Sequence, residues 1–150
     1  MGRFGGGKHY VALTQSALDR EGTLWFRIEG TSMNPVLRSG DRVQVQPCTL
    51  EALAFGDLAL FTKRQTFCLH RVMGTMKKHG VNWLITKGDG CGRWDRPVTA
   101  ASIVGRAVAI DRRGRLQLLD TVAGRLSALL CGVGSVAVGW GLWLKWRLQR

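Results

Sequence analysis

From Leu24 to Leu119 the chain is cut into short runs of alternating apolar and polar residues, separated by glycine-bearing or polar turns. Alternation with period two places successive side chains on opposite faces of a strand. Leu24–Glu29, Asp41–Gln46, Asp57–Lys63, Thr66–Met73, Val81–Thr86, Ile103–Ile110 and Leu116–Leu119 read as strands. Lys63-Arg64-Gln65 and Lys77-Lys78-His79-Gly80 read as turns, Leu50–Ala54 as a helical turn, and Gly88–Pro97 as an irregular loop. Short strands at this spacing predict a mainly β fold: a curled, mainly antiparallel sheet or small barrel. Ahead of it, Val11, Leu13, Ala17 and Leu18 fall near helical spacing and predict a short amphipathic helix over Tyr10–Arg20. That helix either packs on the sheet or touches a membrane surface.

The most constrained stretch is Phe26–Gln46, FRIEGTSMNPVLRSGDRVQVQ. Ser32 lies between two strands on a short connection, with Gly30 on one side and Pro35 on the other. Glycine reaches backbone angles other residues avoid, and proline fixes φ. A hydroxyl on such a connection is either an ordinary loop serine or a presented nucleophile.

Bulk properties narrow the classes. At 150 residues, 45% of them hydrophobic, the chain is long enough for one globular domain and too apolar for disorder. Its net charge of +12 calls for an anionic partner. The basic residues are spread out, with no helix-turn-helix, zinc-finger or RNA-binding signature, so an anionic membrane surface is expected and nucleic acid is not. Cys48, Cys68, Cys91 and Cys131 lack C-x-x-C spacing, so neither a metal site nor a disulfide framework is indicated. No cofactor motif is present.

Three regions follow: a flexible glycine-rich N-terminus over 1–9, a folded domain over 10–119, and a hydrophobic C-terminal helix within 120–150. Leu126–Leu144 carries no charge and spans roughly 28 Å at 1.5 Å per residue, enough to cross a hydrocarbon core once. Ala128, Gly132, Ser135 and Gly139 form a small-residue stripe suited to a helix partner in the membrane. A buried or surface-lying helix is the alternative. Flanking positives on both sides leave the orientation open.

The Ser32 segment is followed by GDLALF (Gly56–Phe61), HRV (His70–Val72), TKGD (Thr86–Asp89) and IVGRAVAI (Ile103–Ile110). Over residues 24 to 110 these blocks, in this order, resemble the type I signal peptidase family. The resemblance implies that family's β fold and a serine endopeptidase that cleaves signal or leader peptides after small residues. It departs from the common plan in lacking an apolar N-terminal anchor. Bacterial members carry lysine before the Arg-Val pair, whereas this chain has His70, as in the endoplasmic-reticulum-type branch.

A serine hydroxyl needs a base. A lysine base must fall from about 10.4 to near 7, whereas histidine begins at about 6.5. His70 is the expected base; Lys63 and Lys87 are the alternatives. Asp89 and Asp95 keep the six-residue spacing of the endoplasmic-reticulum-type branch, with Asp95 favoured to orient His70 and Asp89 to support the loop or share the role. Gly90-Cys91-Gly92 departs from the small polar residues usual there. For the oxyanion the Ser32 N–H is expected. Gly30 stands where many relatives have a second hydroxyl, and Thr31 is the possible substitute. Met33 is expected to line the substrate cleft or to fill the core. Two other readings fit the blocks less fully: a self-cleaving repressor-type peptidase, and a noncatalytic basic β-module that binds lipid or peptide.

Overall fold

A computed structural model describes residues 4–119. The C-terminal helix expected within 120–150 lies outside the described residues. The fold is mainly β, with nine strands in one antiparallel sheet and one N-terminal helix. In chain order these are β1 (Phe4–Gly6), α1 (Lys8–Glu21), β2 (Leu24–Arg27), β3 (Arg42–Gln46), β4 (Leu58–Lys63), β5 (Thr66–Lys78), β6 (Val81–Lys87), β7 (Val98–Thr99), β8 (Ile103–Arg112) and β9 (Arg115–Leu118).

The strand order is β2-β3-β8-β4-β5-β6-β7. Its two ends, β2 and β7, do not join, so the sheet is open and the barrel alternative is not what forms. The long strands hold the sheet together. β8 pairs with β3 on one side, and on the other with β4 near its start and β9 near its end. β5 carries β4 along one edge, while β1 and β6 divide the other.

Three connections are two-residue hairpins in which both central residues have positive φ: Arg64 and Gln65, His79 and Gly80, Arg113 and Gly114. That is the twist right-handed strands require of a tight hairpin. The turn at Lys77–Gly80 was expected to follow a strand ending at Met73. Instead β5 runs on to Lys78, because the polar end of the strand still finds its ladder partner in β6.

β4 shows why the centre of the sheet is stable. Leu58 and Leu60 enter one apolar cluster with Phe26, Val43, Phe67 and Leu69, while Ala59 and Phe61 enter a second with Cys68, Val72 and Leu84. With both faces covered, all four residues are buried, each large side chain contributing about 1.5–3 kcal/mol.

The N-terminus differs from expectation. Phe4–Gly6 pairs with the start of β5, and Lys8 already belongs to α1, so residues 4–9 are part of the fold. Backbone pairing with an open strand edge needs no special side chains, and glycine-rich composition therefore did not reveal it. α1 ends at Gly22, which takes φ +74 and donates its N–H to the Leu18 carbonyl at 2.9 Å. Leu18 and Val11 pack on the core and the Tyr10 ring meets Phe67 edge-on, whereas Leu13 of the same stripe is 71% exposed. Among the described residues no helix is long and apolar enough to cross a membrane.

Candidate active site

Ser32 lies on the connection between β2 and β3. Gly30 takes φ +86, which turns the chain out of β2. Hydrogen-bonded turns follow, with the Asn34 N–H donating to the Thr31 carbonyl at 3.1 Å and the Leu37 N–H to the Met33 carbonyl at 2.9 Å. Met33 and Leu37 drop into the core. Met33, expected in the substrate cleft or the core, is thus a core residue, and Thr31 stays exposed.

The far end of this connection is held by charge. Asp41 is buried, accepts the Arg38 N–H at 2.9 Å, and pairs with Arg112 of β8 at 2.6 Å. The same guanidinium donates to the Val36 carbonyl at 2.7 Å. Burial pushes the Asp41 carboxyl up, but hydrogen bonds and charge from Arg112 and Arg38 outweigh it and hold the group below the usual carboxylate range. Ser32 is thereby pinned between a glycine turn and an ion-paired clamp.

His70 sits in the middle of β5, opposite Ala59 of β4, and is 5% exposed. Alternation sends Phe67 and Leu69 into the first cluster and Cys68, with His70, to the face of the second. The Phe61 ring meets the imidazole edge-on, centroids 6.0 Å apart. His70 Nε2 lies 3.1 Å from Ser32 Oγ, and Nδ1 lies 2.5 Å from Asp95 Oδ2. Three segments far apart in the chain therefore form one continuous hydroxyl–imidazole–carboxylate line.

Asp95 is held from its own side. Its N–H donates to the Thr86 carbonyl and its Oδ2 accepts the Thr86 hydroxyl, both at 3.0 Å. Lys63 Nζ donates to Oδ1 at 3.2 Å. Burial pushes the Asp95 carboxyl up, yet the bonds and charges of His70 and Lys63 outweigh it and bring the group below the usual range. No family model and no curated protein matches the chain. What the site can do rests on its own geometry.

The two aspartates divide their work because of the strand between them. His70 and Arg71 are adjacent on β5 and point to opposite faces. Arg71 is 1% exposed and needs a countercharge. Asp89 provides it with both oxygens, at 2.8 and 2.6 Å, and the Gly56 carbonyl accepts a third bond at 2.7 Å. Asp89 thus anchors the loop, and Asp95 is the carboxylate on His70. Of the alternative bases, Lys63 is tied to Asp95, and the Lys87 ammonium donates to the Gly88 carbonyl at 3.4 Å.

The loop after β6 closes over the serine. The Gly90 N–H donates to the Ser32 carbonyl at 2.9 Å, and the Cys91 thiol lies 3.9 Å from the same oxygen. Gly88 has no room for a side chain: a Cβ there would stand 2.6 Å from the Ser32 carbonyl and 3.2 Å from His70 Nε2. Thr86, Gly88 and the partner of Arg71 were missed from the sequence. The signal for Arg71 was available, since a cation inside an apolar central strand must find an anion. For Thr86 and Gly88 the signal was only that both lie in the TKGD block. Beside Asp95 a groove of about 510 Å³ is lined by Phe61, Lys63, Arg64, Trp94 and Arg96 among others.

Proposed function

We propose that this chain is a serine endopeptidase of the type I signal peptidase kind, in the histidine-using form. One observation carries the reading: Ser32, His70 and Asp95, on three separate segments, stand in hydrogen-bond sequence at 3.1 and 2.5 Å. Geometry of this kind is recognised by roles rather than by fold. The open antiparallel sheet agrees with the fold the resemblance implies.

In the proposed reaction the neutral imidazole accepts the Ser32 proton at Nε2 as Oγ bonds to the scissile carbonyl carbon. Asp95 accepts the Nδ1 hydrogen bond and stabilises the imidazolium. The tetrahedral intermediate collapses as Nε2 passes that proton to the leaving amine, breaking the C–N bond and leaving an ester on Ser32. Water then attacks the ester, giving its proton to Nε2. Collapse breaks the bond from the acyl carbon to Oγ as Nε2 returns its proton to Oγ, and the released carboxylic acid gives its remaining proton to solvent. The Ser32 N–H is the proposed oxyanion donor.

The substrate is proposed to be a signal or leader peptide, cleaved after a small residue and bound as an extended strand. β2, at the end of the sheet order and directly before the Ser32 connection, offers an edge for such pairing. With net charge +12, an anionic membrane surface is the proposed setting.

The test is mass spectrometry of leader-bearing peptides after incubation with the protein. Wild type cleaves at one site, and Ser32→Ala and His70→Ala each abolish cleavage with circular dichroism unchanged. Full cleavage by either folded variant would overturn the reading.

A further inference from the structure

We infer that Lys63 is a positioning residue that locks the Asp95 carboxylate in its bond to His70. The kinetic part rests on the function proposed above. The structural part does not.

Asp95 divides its acceptor capacity cleanly. Oδ2 takes the imidazole and the Thr86 hydroxyl, while Oδ1 takes the Lys63 ammonium at 3.2 Å. A carboxylate held by one bond can rotate about its own side-chain torsion. Held at both oxygens from two strands, β4 and β6, it cannot turn without breaking a bond. Lys63 is itself fixed. It ends β4 opposite Thr66, whose hydroxyl donates to the Lys63 carbonyl at 2.8 Å, just before the tight Arg64-Gln65 hairpin. Strand alternation puts Phe61 and Lys63 on one face of β4. Phe61 supports the imidazole, and Lys63 supports the carboxylate two residues further on.

The electrostatic consequence has a definite sign. An imidazolium is stabilised by the carboxylate beside it, and a cation on that carboxylate's other oxygen weakens the stabilisation. Other charges near the pair have contacts of their own or line the groove at Asp95. Arg71 is matched by Asp89, the Lys87 ammonium bonds the Gly88 carbonyl, and Arg64 and Arg96 line the groove with Asp95. The Cys91 thiol lies at the Ser32 carbonyl. Lys63 is the cation in direct contact with the carboxylate that His70 uses.

The experiment follows the imidazole ring signals of the three histidines by NMR through a pH titration, with His70→Gln assigning the His70 signal. In parallel the pH profile of leader-peptide cleavage is measured. Lys63→Met and Lys63→Gln are expected to hold the His70 proton to higher pH and to move the acid limb of the profile the same way. At the optimum, kcat falls several-fold with KM unchanged, and Lys63→Arg restores both. A His70 titration identical in wild type, Lys63→Met and Lys63→Gln overturns the inference, as does a loss confined to KM. If wild type cleaves no leader peptide yet the titration moves as expected, the coupling stands and the protease reading falls.

Discussion

Arg71 and Asp89 meet in a two-point ion pair whose side chains are 2% and 3% exposed, with Nε to Oδ1 at 2.8 Å and Nη2 to Oδ2 at 2.6 Å. The pair crosses from the centre of β5 to the loop that covers Ser32. Breaking a buried pair by removing one partner leaves an uncompensated charge, at about 3–5 kcal/mol. Asp89→Leu is therefore expected to lower the unfolding free energy by about that amount in urea titration. The double variant Arg71→Met/Asp89→Leu should recover part of the stability without recovering cleavage. A single variant as stable as wild type would mean the pair does not hold the loop.

Gly88→Ala separates strain at the site from general instability. The added methyl meets the Ser32 carbonyl at 2.6 Å, and His70 Nε2 lies 3.2 Å away. Backbone on one side and a buried ring on the other leave little room to yield. The proposed cleavage is expected to fall by at least about 10²-fold, the scale reached when reacting groups shift by about 1 Å. The urea midpoint should fall much less in proportion. Wild-type cleavage in Gly88→Ala would show that the Ser32–His70 contact tolerates displacement.

Asp95→Asn replaces the acceptor on Nδ1 with an amide and removes the charge that steadies imidazolium. In triads of this kind the exchange lowers kcat by about 10⁴ while geometry survives. The same order of loss is expected here, with substrate affinity retained. Asp89→Asn is expected to act through stability instead. The split is read by comparing kcat, KM and urea midpoints of the two variants.

Acid should loosen the Ser32 connection before it unfolds the rest. Asp41 has its carboxyl held below the usual range in the folded protein, where burial is outweighed by Arg112 and Arg38. A depressed carboxylate contributes stability that is fully present above its unfolded value, about 3.9, and is lost as pH falls through the lower folded value. Urea midpoints of wild type should therefore drop below about pH 4. Asp41→Asn should be less stable near neutrality and show a flatter profile in acid. Parallel profiles for the two proteins would remove Asp41 as a source of acid sensitivity.

Much of the site was legible because its residues lie in short blocks with local meaning. Gly30 and Pro35 marked Ser32 as constrained, and the apolar alternation around His70 set it apart from His9 in the N-terminal stretch and His79 in a turn. The choice between Asp89 and Asp95 was legible only through the resemblance, which favoured Asp95 for His70 and Asp89 for the loop, as the structure has them; local pattern alone could not make it. Six residues separate them on an irregular loop, and loop direction depends on what each carboxylate finds in space. The role of Lys63 was hidden for the same reason: an ammonium at a strand end has no sequence mark showing whether it meets solvent, serine or carboxylate.

Period-two alternation by itself marked β2 to β6, β8 and β9, though not the full length of β5, and with them the faces of β4 and β5, and hence that His70 and Arg71 point opposite ways. Those are properties of bonded neighbours, so the chain carries them in order. Only the tertiary structure decided that the sheet stays open, that residues 4–6 join β5, that Asp89 reaches Arg71, and that Lys63 completes the bonding of the Asp95 carboxylate. Each of these depends on which groups arrive at one point from distant segments, and hydrogen bonds and ion pairs form on distances of a few ångströms in space, whatever the separation along the chain.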